Sequence, residues 1–259
     1  MPEIKINTGV DLHYRASGSG PVTLVCLHGW GGSSDSWAGL VPHLDETRYR
    51  ILCPDLRGHG QSGCPPAGYA WESFAGDVLA MADHEQAAHF IPIGFSMGGK
   101  LAGYLAATQA RRISAQILVA PVGPGTVPIP RELGLQVCLL AGNVRHSKPF
   151  FRSWFAADTA ESVVDNGCAT MAGTPRRVLE ATAEMTLWTS LADVMGTLAQ
   201  PTLLVTGDRD PVYHLDYQTS ATLPFLQEVR MARLAAGHFI PLEKPAELAA
   251  LISRFLMTV

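Results

Sequence analysis

Residues 91–100 read Ile-Pro-Ile-Gly-Phe-Ser-Met-Gly-Gly-Lys, one serine among three glycines directly after an apolar run. Glycine serves where the backbone takes positive φ or approaches another segment closely, so this pattern implies a tight, crowded bend around one hydroxyl. Residues 90–93 have the length and composition of a strand, and residues 97–107 are rich in helix formers. Gly94-Phe95-Ser96-Met97-Gly98 is therefore a G-x-S-x-G turn between strand and helix, the arrangement that lifts a nucleophilic hydroxyl above a sheet edge. Gly94 and Gly98 would make room where the two backbones converge. The helix beginning near Met97 would direct its first N–H groups toward developing negative charge.

An alkyl hydroxyl is a poor nucleophile at neutral pH, so Ser96 needs a histidine base and a carboxylate that holds the base in the right tautomer. Leu234-Ala235-Ala236-Gly237-His238-Phe239 follows the last apolar run and offers His238 as that base. Upstream, Leu203-Leu204-Val205-Thr206-Gly207-Asp208-Arg209-Asp210-Pro211 ends a strand in an acidic loop with two carboxylates, Asp208 and Asp210. The order serine, aspartate, histidine is the one expected for a nucleophile on such a bend. His28 and His59 read as loop-shaping groups, and Asp55, Arg57 and Ser62 as loop anchors. The remaining histidines show no ligand spacing, so neither a metal nor a cofactor is expected.

Positioning these groups requires a sheet. Residues 3–7 and 12–16 alternate polar with apolar around Thr8-Gly9-Val10-Asp11, which predicts an opening hairpin with one solvated face. Strands are predicted over 23–27, 50–53, 90–93, 116–120, 202–206 and 228–234, most of them runs of Val, Ile and Leu suited to burial on both faces. Helices over 36–44, 71–87, 97–107, 214–222 and 246–257 take turns with them, so the fold class is α/β, a mostly parallel sheet flanked by helices. Residues 124–200 break the alternation, with helices predicted over 133–141, 149–156, 160–168 and 176–188. They read as a helical insertion that splits a core domain of residues 1–123 and 201–259. The Gly- and Pro-rich stretch 122–130 and Ala199-Gln200-Pro201 are its hinges.

Composition narrows the function classes. The 259 residues are 47% hydrophobic with a formal net charge of −4, enough for one large core and without the basic runs that nucleic acid or an anionic membrane would call for. No apolar stretch reaches membrane-spanning length and the N-terminus lacks a signal-peptide pattern, so a cytoplasmic protein acting on a small molecule is expected. Five cysteines, an odd number without close pairs, predict neither disulfide scaffolding nor a zinc site. Cys26 and Cys53 sit in apolar runs and read as core residues. The sequence says nothing of oligomeric state.

Taken together these stretches resemble the α/β-hydrolase fold superfamily, in its capped, serine-nucleophile, esterase-like form, over nearly all of the chain outside the insertion. Leu27-His28-Gly29-Trp30-Gly31-Gly32 resembles the family's His-Gly oxyanion loop. Pro54-Asp55-Leu56-Arg57-Gly58-His59-Gly60-Gln61-Ser62 resembles its D-x-R-G-x-G-x-S loop. Gly207-Asp208-Arg209-Asp210 resembles G-x-x-D, and Gly237-His238-Phe239 followed by Glu243-Lys244-Pro245 resembles the stretch around the catalytic histidine. The family's spacing selects Asp210 over Asp208 as the acid. The resemblance implies an oxyanion hole made of the backbone N–H groups of Met97 and Trp30, with Trp30 also placed to meet substrate. It implies too that the insertion is a cap over the nucleophile. The cap's aromatic set, Trp154 and Trp188 in particular, either lines an apolar pocket or simply buries helix faces.

The activity so implied is hydrolysis of a small or medium apolar carboxylic ester through an acyl-enzyme. Alternatives on the same triad are carbon–carbon bond hydrolysis, enol-lactone opening, and elimination of the kind run by a menaquinone-pathway lyase, whose Ser-Met-Gly-Gly-Arg stretch resembles Ser-Met-Gly-Gly-Lys here. Dehalogenases and epoxide hydrolases of this fold need an aspartate where Ser96 stands. A receptor that keeps the fold and the pocket without turnover is the non-enzymatic alternative.

Overall fold

A strand buried on both faces must divide its side chains between two cores. The computed structural model, which describes residues 3–5, 9–141 and 143–259, shows this division in the central strands of the sheet. Leu24, Cys26, Ile51, Cys53, Ile93, Ile117, Val119, Leu203 and Val205 face one core. Their neighbours Val25, Leu27, Leu52, Leu118 and Leu204 face the other. The strands are β1 (Glu3–Lys5), β2 (Asp11–Ser17), β3 (Val22–Leu27), β4 (Tyr49–Pro54), β5 (Ile91–Phe95), β6 (Gln116–Val119), β7 (Thr202–Gly207) and β8 (Val229–Leu234). They lie in the order β1-β2-β4-β3-β5-β6-β7-β8. β1 with β2 and β2 with β4 pair antiparallel, and every pair from β4 with β3 onward is parallel. The opening hairpin is therefore present, while residues 6–8 of its expected span lie outside the described residues.

The helices outside residues 124–200 are α1 (Trp71–His84), α2 (Met97–Thr108), α8 (Leu215–Ala221), α9 (Ile240–Glu243) and α10 (Pro245–Leu256). Between β6 and β7 the chain forms α3 (Arg131–Ala141), α4 (Val144–Arg152), α5 (Glu161–Ala172), α6 (Arg176–Ala183), a π-helical turn at Glu184–Trp188 and α7 (Ala192–Met195). α1 and α2 cover one core through Phe74, Val78, Met81, Leu101 and Leu105. α10 and the inner face of segment 124–200 cover the other through Leu248, Ile252, Phe155, Cys168 and Met171. Among the described residues no helix is long and apolar enough to cross a membrane.

Three local expectations are corrected. Residues 36–44 form two 3-10 turns, Ser34–Trp37 and Val41–His43, instead of a helix. Gly39 weakens a helix here and Pro42 lacks the N–H that one would need. α1 stops at His84, ahead of Gln86 at φ 54°. The helix expected over 149–156 runs instead from Val144 to Arg152, started by the Asn143 side chain accepting the Arg145 N–H at 3.0 Å. Pro149 is accommodated inside it.

Candidate active site

The turn after β5 has the crowding its glycines imply. A Cβ on Gly94 would overlap the Gly98 carbonyl, and one on Gly98 would overlap the Leu27 carbonyl at the end of β3. Ser96 stands at the N-cap of α2 with φ 54° and ψ −115°, a conformation L-residues adopt only when the surroundings enforce it. Its N–H donates to Val119 O at 3.0 Å, and its carbonyl accepts from Gly99 and Val122 at 2.9 and 3.1 Å. Gly98→Ala should therefore lower stability by about 3 kcal/mol, the upper range for an overpacked site. Thermal denaturation measures it, and an unchanged melting temperature contradicts the close approach.

Four loops at the C-terminal ends of parallel strands meet around this hydroxyl, the edge where open α/β sheets carry their sites. The loop after β8 brings His238 Nε2 to 3.1 Å from Ser96 Oγ. The loop after β7 brings Asp210 Oδ2 to 2.7 Å from His238 Nδ1. A carboxylate only accepts hydrogen bonds, so the ring proton sits on Nδ1 and the Nε2 lone pair accepts the serine O–H. Asp210 Oδ1 accepts the Val212 and Tyr213 N–H groups, each at 2.9 Å. Burial pushes the Asp210 carboxyl up, but the facing His238 imidazole with its ring N–H and these two amides hold it below the usual range. Asp208 is exposed and accepts from Arg233 Nε at 2.6 Å, away from the row.

The loop after β3 supplies Gly29, where a Cβ would come 3.2 Å from Ser96 Cβ. The backbone N–H groups of Trp30 and Met97 have no hydrogen-bond partner among the described residues. Trp30 Nε1 donates to Leu179 O at 3.0 Å, tying this loop to α6. His28 holds its shape: Nε2 accepts the Leu56 N–H at 3.0 Å and Nδ1 donates to Gly29 O at 2.8 Å. Burial lowers its pKa. Asp55 accepts from the Ser34 and Gln61 backbones at 2.6 and 2.9 Å, the work of a loop anchor.

A cavity of about 560 Å³ opens on Ser96 and His238. Segment 124–200 forms much of its wall with Val127, Phe150, Trp154, Met171 and Leu187, while Trp30 comes from the loop after β3 and Phe95 from the end of β5. Among the described residues no Asp, Glu, Lys or Arg lines it. Trp154 packs edge-on to His238, ring centroids 5.3 Å apart, and its carbonyl accepts the backbone N–H of His238 at 2.6 Å. Trp188, expected as a possible wall, is not among the lining residues. The π turn rotates its indole N–H onto Ile129 O at 3.0 Å, with Arg131 over the ring at 5.6 Å.

Three residues near the site are given no role by the sequence. Glu243 Oε2 accepts from Gly237 N, Ala156 N and Thr159 Oγ1 at 3.0, 2.8 and 2.8 Å, stapling the histidine loop to segment 124–200. Its presence after the histidine was the available signal. Tyr213 lies 5.1 Å from the His238 ring and lines the cavity. Lys100, in α2, is buried and belongs to neither cavity nor hydrogen-bonded row.

Comparison with known proteins agrees with this architecture. A family model described as alpha/beta hydrolase fold matches residues 22–189. A non-heme haloperoxidase of Rhodococcus erythropolis is 26% identical over 251 residues, 89% of this chain and 90% of that protein. The enol-lactonase from Burkholderia xenovorans superposes with a TM-score of 0.88 at 25% identity, over 99% of this chain and all of the other. An esterase from Exiguobacterium antarcticum has the same fold, with a TM-score of 0.88 at 19% identity over 99% of both chains.

Proposed function

The chain belongs to the alpha/beta hydrolase fold family, and from that premise we propose that this hydrolase uses Ser96 to cleave a small or medium, uncharged, apolar carboxylic ester through an acyl-enzyme. The observation that carries the reading is the Ser96–His238–Asp210 row, at 3.1 and 2.7 Å, opening on a cavity that no charged side chain among the described residues lines. Ser96 Oγ attacks the carbonyl carbon while His238 Nε2 takes its proton. The resulting oxyanion is held by the Trp30 and Met97 amides, which have no hydrogen-bond partner among the described residues and so can be aimed in advance; each such donor is worth about 3 kcal/mol. His238 then gives its proton to the leaving alkoxide as the C–O bond breaks. A water molecule, deprotonated by the same nitrogen, attacks the acyl carbonyl, and the proton returns to Ser96 as the acid departs. Asp210 stays ionised and orients the ring. Residues 124–200 act as the cap on a core of residues 1–123 and 201–259, and the Trp154 carbonyl on the backbone N–H of His238 supports that role.

The cavity's chemistry weighs against the alternatives that carry charge. A carboxylate placed there without a cation costs several kcal/mol. The lyase-type elimination loses support at Lys100, whose Nζ is engaged by three main-chain carbonyls and which is not among the residues lining the cavity. A nitrophenyl butyrate should accordingly exceed the hemisuccinate of similar length by about 100-fold or more in kcat/KM, the equivalent of about 2.7 kcal/mol. Equal rates remove the uncharged-substrate reading. The first test is wider: a fluorophosphonate should label Ser96, and a panel of nitrophenyl esters should turn over. Labelling without turnover favours a receptor or a lyase, and no labelling removes the activated serine altogether.

A further inference from the structure

Lys100 carries a charge that this chemistry does not use. It lies four residues after Ser96 on α2 and is 1% exposed. An ammonium so enclosed is costly unless each N–H is satisfied. Its Nζ donates to the carbonyls of Gly125, Thr186 and Thr189, each at 2.9 Å, and lies 5.8 Å from the Trp71 ring. Those three acceptors use all three donors of the ammonium. They also come from both ends of segment 124–200: Gly125 precedes α3, Thr186 lies in the π turn, and Thr189 follows it. The two ends bond each other as well, Val127 N–H to Leu187 O at 2.7 Å and Leu191 N–H to Pro124 O at 2.8 Å. Val127, Thr186 and Leu187 line the cavity.

We infer that Lys100 is a positioning residue for the acyl part of the substrate: it rivets both ends of the cap to the helix that presents Ser96, and so fixes the distance between the nucleophile and the wall of Val127, Thr186 and Leu187. The kinetic side of this inference rests on the ester-hydrolase reading; the rivet itself does not. A long acyl chain that fills the cavity touches that wall. An acetyl group carries a single methyl beyond the carbonyl and needs little of it. Burial pushes the Lys100 ammonium down to about 7, while the three carbonyl oxygens reward the charged form, so the charge and its three donors are what a substitution must remove.

The test compares the parent chain with Lys100→Met, which keeps the stem and loses the charge, and Lys100→Arg, which keeps charge and donors. Lys100→Met should raise KM for nitrophenyl octanoate about tenfold or more while kcat, and both constants for the acetate, stay within about threefold. Lys100→Arg should recover most of that loss. Hydrogen exchange gives a readout independent of turnover: the Val127 and Leu191 amides should exchange about 100-fold faster in Lys100→Met, with the amides of β5 and β6 unchanged. Equal losses on acetate and octanoate, or unaltered exchange at Val127 and Leu191, overturn the inference. Should Lys100→Met not fold, the parent decides: these two amides must exchange as slowly as those of β5, and rates typical of exposed loops overturn it. A parent without ester turnover sinks the ester reading and leaves the exchange comparison to judge this one.

Discussion

Ser96→Ala is expected to lower kcat/KM toward nitrophenyl butyrate by about 10⁵-fold or more, because losing the proposed nucleophile leaves only binding and oriented amides to assist water. The same substitution should leave the fold in place. Ser96 Oγ makes one side-chain hydrogen bond, to His238, and removing such a hydroxyl costs about 1 kcal/mol. Alanine inherits the strained backbone at φ 54° on the same terms as serine, since both carry a Cβ and neither is β-branched. The loss must therefore appear in kinetics and in fluorophosphonate labelling, with circular dichroism and melting temperature near those of the parent. Turnover within tenfold of the parent would show that another group attacks the carbonyl, and the whole assignment would go with it.

What the sequence made legible, and what it did not, follows from how local each cause is. The bend at Ser96 depends on residues 94–98, whose glycines are dictated by backbone crowding between adjacent elements, so composition and spacing carry the signal. The strands were legible because burial on both faces leaves continuous runs such as Leu24–Leu27 and Leu203–Val205. Asp210 and Asp208 differ by two residues in the chain, yet one is buried and the other lies in solvent; only a pattern tied to the turn geometry separates them. Lys100 was opaque for the opposite reason. Its partners are carbonyls 25 to 89 residues away, and a main-chain acceptor leaves no mark on the sequence. Trp188 misled because a helix that widens into a π turn rotates the last side chains away from the face that 3.6-residue spacing assigns them.

Asp210→Asn carries the second large effect and separates the two carboxylates. The amide is nearly the same size, and its Oδ1 can still accept the Val212 and Tyr213 N–H groups that hold the acid loop. Toward His238, however, it can turn an NH₂ where the carboxylate offered an acceptor at 2.7 Å. Nδ1 must then accept, the ring proton moves to Nε2, and an N–H points at the serine oxygen that needs a base. At neutral pH kcat/KM should fall about 10⁴-fold, the size of loss expected when the histidine is held in the wrong tautomer. Asp208→Asn should stay within about twofold, since its partner Arg233 is an exposed ion pair worth little. The acid side of the stability profile has a fixed sign as well. The folded Asp210 carboxyl is held below the ordinary range, so its contribution is present above the unfolded value of about 4 and disappears as pH falls through the folded one. Asp210→Asn should lack that acid-side decline, which urea titrations at pH 7 and pH 3 would reveal as a smaller loss of stability than in the parent. Similar activity losses for Asp208→Asn and Asp210→Asn would mean that the acid loop acts through its fold alone, with neither carboxylate orienting the base.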